Sequence, residues 1–214
     1  MAWALEEFEY VETIGFSYNQ RHIVELECRD TILKKVKEIK NNWNLALGSD
    51  YLIDLPVIPK IADSALTSDT QILFKKNGLP NTFVPGRNLF FFITAASLAY
   101  RKNISTLIGG MCETDFSGYP DCRNETILAL EKTINFAYAR KFKIETPLMW
   151  SNKSVIWETA EKIAGRKLVD LIINDTHTCY LGNRKNLQEW GYGCGECPAC
   201  KLRKEGFKTF QLKR

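Results

Sequence analysis

Four of the seven cysteines lie close together near the end of the chain, with a spacing that is typical of a metal site. The run Cys194-Gly195-Glu196-Cys197-Pro198-Ala199-Cys200 places two residues between successive thiols, and Cys179 lies fifteen residues before Cys194. Two intervening residues let neighbouring thiolates turn toward one ion at about 2.3 Å, and a fourth thiolate completes a tetrahedron. The pattern therefore favours a structural zinc site formed by these four cysteines.

Two other uses of these cysteines fit the same spacing. Three cysteines with a remote fourth also occur around iron–sulfur clusters, and a disulfide would use the same residues. An odd total of seven is more typical of ligands and free thiols in a reducing compartment than of a disulfide framework. At this point zinc, a cluster and a disulfide all stay open, and we expect Cys112 and Cys122 to be buried bystanders.

Arg87 stands at the start of a long apolar run. Pro85-Gly86-Arg87-Asn88 leads into twelve mostly apolar residues, Leu89 to Tyr100, which predict a buried helix. A cation at that position opposes the positive end of the helix dipole unless an anion lies between them, and free backbone N–H groups there suit a phosphate or carboxylate. Arg87 is therefore a candidate anion clamp, and the alternative is a solvated arginine beside a proline turn.

The segment from Cys112 to Arg123 combines three carboxylates, an arginine, hydroxyl groups and aromatic rings. Such a mixture could orient a polar planar heterocycle. The alternative is an acidic loop that caps the following helix. His22, beside Arg21, could act as an acid, a base or a phosphate contact, or it could be an ordinary surface histidine.

The composition excludes several classes of protein. The chain has 214 residues, of which 45% are hydrophobic and 25% charged, enough for one sizeable core with a small appendage and not typical of disorder. Its longest apolar run is shorter than the roughly 18 to 20 residues that span a bilayer, and no basic segment precedes an apolar one at the start. We therefore expect a cytoplasmic protein. A net charge of +4 does not indicate a nucleic-acid partner.

Strand-like and helix-like segments alternate along the chain. This alternation predicts parallel βαβ units, in which ligands bind at the carboxyl ends of the strands. The segments after three predicted strands, 19–22, 112–123 and 146–150, should then open onto one rim. The predicted strands are 11–18, 51–56, 104–110 and 143–148; the predicted helices follow 33–43, 89–100, 125–139 and 152–164; and 59–84 is predicted to be a long loop.

Five segments, in order and across nearly the whole chain, together carry a resemblance. They are Tyr18-Asn19-Gln20-Arg21-His22, Val84-Pro85-Gly86-Arg87-Asn88, the run Cys112 to Arg123, Glu145-Thr146-Pro147-Leu148-Met149-Trp150, and Cys194 to Cys200. With these segments the chain resembles the 7-cyano-7-deazaguanine synthases of queuosine biosynthesis. The resemblance implies an α/β fold, with a Rossmann-like parallel sheet and flanking helices of the adenine-nucleotide hydrolase type over residues 1–170. It also implies a small zinc-binding lobe over residues 171–214.

The resemblance also implies a reaction. Enzymes of this family convert 7-carboxy-7-deazaguanine and ammonia into 7-cyano-7-deazaguanine, using ATP with Mg2+, through an acyl-adenylate and an amide. The expected partners are these small molecules and a second copy of the chain in a homodimer, with no membrane or nucleic acid. Structural Zn2+ is assigned to Cys179, Cys194, Cys197 and Cys200.

The same resemblance implies contacts with substrate or nucleotide, although it assigns no catalytic residue. Arg21 and Arg87 fit phosphate clamps, and Lys153 is a further candidate. Asp115 or Asp121 could bind exocyclic nitrogens, and Tyr119 or Phe116 could stack on the base. The full expected set is Tyr18, Gln20, Arg21, His22, Arg87, Asn88, Glu113, Asp115, Phe116, Tyr119, Asp121, Arg123 and Lys153.

The beginning of the sequence departs from the family pattern. The family starts with a strand and a Ser-Gly-Gly-x-Asp-Ser loop that holds pyrophosphate, whereas Met1–Glu7 resembles the helix that follows this loop. We therefore expect these 214 residues to bind zinc but to turn over little ATP. Either the natural start lies upstream of Met1 or the chain is a truncated, inactive copy. The alternative function is a zinc-stabilised binding module without ligase activity.

Overall fold

The computed structural model describes residues 1–21, 23–68, 70–71, 80–114 and 119–214. Helices and strands alternate in the predicted order, and within these ranges no helix combines the length and apolarity needed to cross a bilayer. In chain order the elements are α1 (Ala2–Glu7), β1 (Val11–Ser17), α2 (Val24–Val36), α3 (Asn41–Ala46), β2 (Leu47–Asp54), α4 (Ile58–Ile61), α5 (Arg87–Arg101), β3 (Thr106–Ile108), a 3-10 turn (Pro120–Cys122), α6 (Asn124–Ala137), β4 (Lys143–Glu145), α7 (Lys153–Asp175), β5 (Leu187–Gln188), β6 (Gly191–Tyr192) and α8 (Pro198–Leu212).

The four longer strands form two parallel pairs. β1 runs parallel to β2, with Ile14 opposite Tyr51, and β3 runs parallel to β4, with Leu107 opposite Ile144. This confirms the predicted parallel α/β class. β5 and β6 form a short antiparallel hairpin that the sequence did not predict, because two residues per strand are too few to show a periodicity.

A cleft separates the two parallel pairs. In the described part of the chain β1 pairs only with β2 and β3 only with β4. The cleft has a volume of about 490 Å³. It is lined by residues of β1 and β3 and by Phe92, Ala95 and Ala99 of α5. At the carboxyl ends of β1 and β3 a neighbouring cavity of about 390 Å³ reaches the start of α5, where Arg87 and Asn88 lie.

Two apolar clusters bury the helices against the strands. One joins α5 and α6 to β3 and β4 through Phe92, Leu107 and Ile134, which are 2–6% exposed. The other joins α1, α2, α3 and α7 around Trp43 and further side chains, namely Leu5, Val36, Leu47 and Leu168. The predicted helix over 89–100 is confirmed, but α5 is covered on one side only, since its Ile93 and Tyr100 are 46% and 52% exposed.

Two expectations differ from the observed elements. The predicted helix over 33–43 is divided, because α2 ends at Val36 and α3 begins at Asn41 after the extended backbone of Lys40. The break lets Trp43 donate its indole N–H to Glu6 of α1 while the ring stays fully buried. The predicted loop over 59–84 overlaps the end of α4, and residues 69 and 72–79 lie outside the described residues.

Helix α7 is longer than predicted and is interrupted. It continues past the expected end at 164, and Ala164 and Gly165 have non-helical backbones. Gly165 has φ 62° and ψ −155°, a conformation that is accessible essentially only to glycine. The interruption separates a first half that contacts α8 through Trp157 from a second half that carries Leu168. α7 also spans position 170, so the domain boundary placed there stays a prediction.

Replacing Gly165 by alanine should destabilise the protein by about 1–3 kcal/mol, because a Cβ atom disfavours the observed backbone angles. Chemical denaturation measures the free energy of unfolding. Gly110→Ala is the matched control, since a Cβ there has no neighbour within 4 Å and the backbone φ is not positive. Equal stability of the two variants would show that the interruption of α7 does not depend on glycine.

Candidate functional site

The four cysteines of the predicted metal site converge in the structure. The Sγ atoms of Cys179, Cys194, Cys197 and Cys200 all lie within 4.8 Å of one another. Three of the four residues are buried and Cys194 is partly buried. No other group of three or more potential metal ligands occurs within the described residues.

Local structure explains how these sulfurs reach one point. Cys179 follows the end of α7, and Cys194 follows β6, whose Tyr192 is bridged to His177. Cys197 caps the start of α8, and Cys200 lies in its first turn. The backbone N–H groups of Glu196 and Cys197 donate to the sulfur of Cys194 at 3.4 and 3.3 Å, which fixes the tight turn between the first two ligands of the run.

The sulfur geometry fits one tetrahedral ion. Four thiolates at about 2.3 Å from a common ion lie about 3.8 Å apart, and the sulfurs of Cys194 and Cys200 are 3.9 Å apart. An iron–sulfur cluster spreads its cysteines over separate irons and needs wider spacing, while a disulfide needs about 2.05 Å. All seven cysteines are free. The donor set therefore fits a mononuclear, closed site.

Hydrogen bonds between the sulfurs lower the pKa of one thiol and raise the pKa of its neighbours. Hydrogen bonds from Cys197 and Cys200 lower the pKa of Cys179. The converse interaction raises the pKa of Cys197 to about 11, and the backbone N–H groups of Cys200 and Tyr180 oppose this rise. A dication that replaces the shared protons would satisfy all four thiolates together.

Arg203 is a buried cation beside the sulfur cluster. It is 6% exposed and donates to the carbonyl oxygens of Trp190 and Ile172, both at 2.7 Å. It also donates to the hydroxyls of Thr176 and Thr178, at 2.9 and 2.7 Å. Burial lowers the pKa of Arg203 to about 10, so the guanidinium stays charged at neutral pH. Arg203 thus ties α8 to the segment that carries Cys179 and places a positive charge near the thiolates.

A cavity of about 570 Å³ lies between the carboxyl end of β1, helix α2 and the metal lobe, which we define as residues 171–214. Tyr18, Arg87 and Tyr119 are sequence-predicted residues on its surface. Glu25 and Arg29 line the cavity from α2, and His177, Thr178 and Tyr180 line it from the metal lobe. None of these last five residues was predicted as a site residue. The only sequence signal that could have indicated Tyr180 is its position directly after Cys179, a predicted metal ligand.

Arg87 lies where this cavity meets the smaller one at the start of α5. Its Nη1 donates to the hydroxyl of Tyr18 at 3.3 Å, and its guanidinium lies 5.8 Å from the ring centre of Phe91. Its Nε is buried without a hydrogen-bond partner, and Arg87 forms no ion pair with the described residues. Burial lowers the pKa of Arg87, but Tyr18 and Asp121 raise it overall. The cation therefore offers an anion a contact that no carboxylate of the described chain occupies.

Tyrosine hydroxyls line the opposite part of the cavity. Tyr119 is 8% exposed, and its hydroxyl lies 2.6 Å from that of Thr82. Tyr119 also forms a hydrogen bond with Tyr180 and stacks on Phe83 with ring centres 5.6 Å apart. Burial raises the pKa of Tyr180, so its hydroxyl is neutral.

Four predicted residues of the acidic segment and of α5 lie at the starts of helices. Asp121 is 5% exposed and accepts the backbone N–H of Asn88 at 3.0 Å, while its other oxygen has no partner among the described residues. The side chain of Asn88 donates to the sulfur of Cys122 at 3.2 Å. Glu113 accepts the N–H of Asn124 at 2.8 Å, next to Arg123, which precedes α6. Capping of the following helix, the alternative noted above, is thus observed for Glu113 at α6, whereas Asp121 caps the preceding helix α5.

The other predicted residues are placed as follows. Gln20 is buried, accepts the N–H of Tyr18 at 2.9 Å and donates to the carbonyl of Phe16 at 3.1 Å, so it closes the turn after β1. Arg21 donates to the carbonyl of Thr70 at 3.2 Å. Lys153 begins α7, where a Cβ on Gly206 of α8 would approach it to 2.3 Å. His22, Asp115 and Phe116 lie outside the described residues.

The purified protein should contain one tightly bound metal ion per chain, measured by elemental analysis. Replacing Cys200 by alanine should abolish stoichiometric binding and lower the unfolding temperature, because a structural metal ion contributes its binding free energy to folding. Cys28→Ala, which removes a buried thiol outside the cluster, should keep its metal. Iron with inorganic sulfide, or equal metal content in the two variants, would contradict a mononuclear site.

Comparison with known proteins adds an independent line of evidence. The family model described as queuosine biosynthesis protein QueC matches residues 1–211. A 7-cyano-7-deazaguanine synthase of Janthinobacterium sp. (strain Marseille) is 55% identical over 210 residues, which cover 98% of this chain and 89% of that protein. The same-named protein of Herminiimonas arsenicoxydans is 54% identical, covering 98% and 90%. That of Zymomonas mobilis is 51% identical over 214 residues, covering 100% and 84%.

Proposed function

The chain belongs to the queuosine biosynthesis protein QueC family, and we propose that its residues serve the ATP-dependent conversion of 7-carboxy-7-deazaguanine and ammonia to 7-cyano-7-deazaguanine. Members of the family are ligases that form a carbon–nitrogen bond. The observation that supports the proposal best is the cavity beside the metal lobe, which combines aromatic and hydroxyl groups with Arg87, a cation that forms no ion pair within the described part of the chain.

The reaction needs activation of a carboxylate. A carboxylate acylates poorly because its leaving group would be oxide, so ATP first converts it to an acyl-adenylate with release of pyrophosphate. Ammonia then displaces AMP and gives the amide. A second ATP adenylates the amide oxygen with release of a second pyrophosphate, and departure of AMP with that oxygen and of the two amide protons leaves the nitrile. Such chemistry requires positioned phosphates and a water-poor pocket more than a covalent nucleophile.

The cavity residues suit the planar substrate. The carboxylate of 7-carboxy-7-deazaguanine is an anion for which Arg87 offers a partner within a partly apolar setting. Tyr119, Tyr18 and Tyr180 present ring and hydroxyl groups to a flat heterocycle, and the carboxylate of Glu25 could accept its N–H groups. Asp115 and Phe116 also stay proposals for binding the heterocycle. The remaining residues proposed to contact substrate or nucleotide are Gln20, Arg21, His22, Asn88, Glu113, Asp121, Arg123 and Lys153.

We assign the four-sulfur site to structural Zn2+. Four thiolates in a closed tetrahedron leave no open position for substrate, and this donor set is typical of structural zinc. Zinc would hold α8 and the Cys179 segment together, whereas ATP would bring Mg2+ as its own counter-ion. Free thiols at all seven cysteines are consistent with a reducing cytoplasm, where we place the reaction. We further propose that residues 1–170 carry the nucleotide chemistry and 171–214 the zinc lobe.

The protein produced from its complete reading frame should form the nitrile from 7-carboxy-7-deazaguanine, ammonia and ATP, detected by mass spectrometry. Arg87→Gln should weaken carboxylate-substrate binding by at least about thirtyfold, because truncating one member of a buried charge pair costs about 2 kcal/mol or more. Arg101→Gln, at the exposed end of the same helix, is the control and should bind normally.

Two results would contradict this assignment. Absence of nitrile with binding of substrate intact would favour a binding module without ligase activity. Equal substrate affinity in Arg87→Gln and Arg101→Gln would show that Arg87 does not hold the carboxylate. Calorimetric titration of both variants separates these outcomes, since it needs no turnover.

A homodimer is the proposed assembly, with α6 as its contact surface. Leu128 and Phe136 on the outer side of α6 are 58% and 76% exposed, so this helix presents two large apolar side chains that a second copy of the chain could cover. Phe136→Glu should therefore shift the protein to monomer in light-scattering measurements, with Leu45→Glu as a control, since Leu45 is 83% exposed on α3. A monomeric wild-type protein, or a dimer that survives Phe136→Glu, would contradict this surface.

A further inference from the structure

Tyr180 packs against two apolar clusters that share no other described residue. Its side chain packs against the metal-lobe cluster of Trp157, Phe207 and neighbouring residues. The same side chain packs against the cluster of Tyr18, Leu66 and Val84 at the end of β1. No other residue belongs to both clusters in the described part of the chain.

The backbone of Tyr180 is fixed by the four-sulfur site. Tyr180 directly follows Cys179, and its N–H donates to the sulfur of Cys197. The backbone of Tyr180 is thus held from two sides by residues of the metal site. A change in the position of these sulfurs would therefore move the Tyr180 ring.

The ring of Tyr180 faces the cavity described above. It lines that cavity together with Tyr18, Arg87 and Tyr119. Its hydroxyl is engaged by a hydrogen bond with Tyr119, which limits rotation of the side chain. What Tyr180 offers a ligand is therefore the ring itself, held at one orientation.

We propose that the ring of Tyr180 binds the deazapurine, so that the metal lobe forms one wall of the substrate cavity. The inference rests on the proposed function and extends it to a residue outside the sequence-predicted set. A flat heterocycle gains affinity when it stacks on a pre-positioned aromatic ring, and such stacking contributes about 1–3 kcal/mol per base. The metal site then contributes to substrate binding through the position of Tyr180, without contacting the substrate itself.

A variant that keeps apolar bulk but removes the flat ring tests this directly. Tyr180→Leu should weaken binding of 7-cyano-7-deazaguanine about tenfold or more in calorimetric titration, at unchanged metal content. Tyr180→Phe keeps the ring and should lose less. Tyr192→Leu is the matched control, because Tyr192 lies in the same lobe against Arg184, 4.3 Å from ring centre to guanidinium, and away from the cavity.

A second measurement does not depend on the leucine variant folding. With 3-fluorotyrosine incorporated, the fluorine resonance that is missing in Tyr180→Phe identifies Tyr180. That resonance should shift when 7-cyano-7-deazaguanine is added, while the resonance of Tyr192 should not.

The outcomes distinguish this inference from the proposed function. Wild-type affinity in Tyr180→Leu, or a Tyr180 resonance that the ligand leaves unchanged, would overturn the inference and leave the function standing. Failure of the wild-type protein to bind any deazapurine would contradict the proposed substrate, and the inference would fall with it.

Discussion

The convergence of four cysteine sulfurs is the interaction on which the C-terminal third of the structure depends. These sulfurs connect the end of α7 to the start of α8, and the aromatic residues Trp157, Phe207 and Phe210 pack around the connection. Arg203 is a buried charge in this core and is satisfied by four hydrogen bonds. The sulfur site, Arg203 and the aromatic contacts together position α8 and the cavity wall beside it.

The cavity gains its specificity from an enclosed cation. The guanidinium of Arg87 is largely enclosed and forms no ion pair with a carboxylate of the described residues, which disfavours an apolar ligand and favours an anionic one. Burial raises the pKa of Tyr18 and of Tyr180, so these two tyrosines add shape and polarity without adding charge. The turn after β1 and the metal lobe both line this cavity. Residues that lie far apart in sequence therefore meet there.

Much of the fold and the metal site could be predicted from local patterns. The cysteine spacing identified all four clustered sulfurs, a continuous apolar run located α5, and helix periodicity located α6, because each signal lies within a short stretch of sequence. The interruption at Gly165 and the division between α2 and α3 could not be predicted, since they depend on which surfaces each half contacts. Arg203 lies among several basic residues between 201 and 214, and only tertiary packing reveals that it is buried. Asp121 and Glu113 could be assigned to a loop, but their capping of two helices required the backbone geometry.

The order of the ligands along the chain has a consequence for biosynthesis. Cys179 leaves the ribosome before Cys194, Cys197 and Cys200, so the face of α7 that carries Trp157 has no cover until α8 has emerged behind these ligands. In a cell that is starved of the metal, newly made molecules would keep Phe207 and Phe210 accessible to chaperones and proteases. Metal supply would then set the abundance of this protein through quality control, even when transcription is constant.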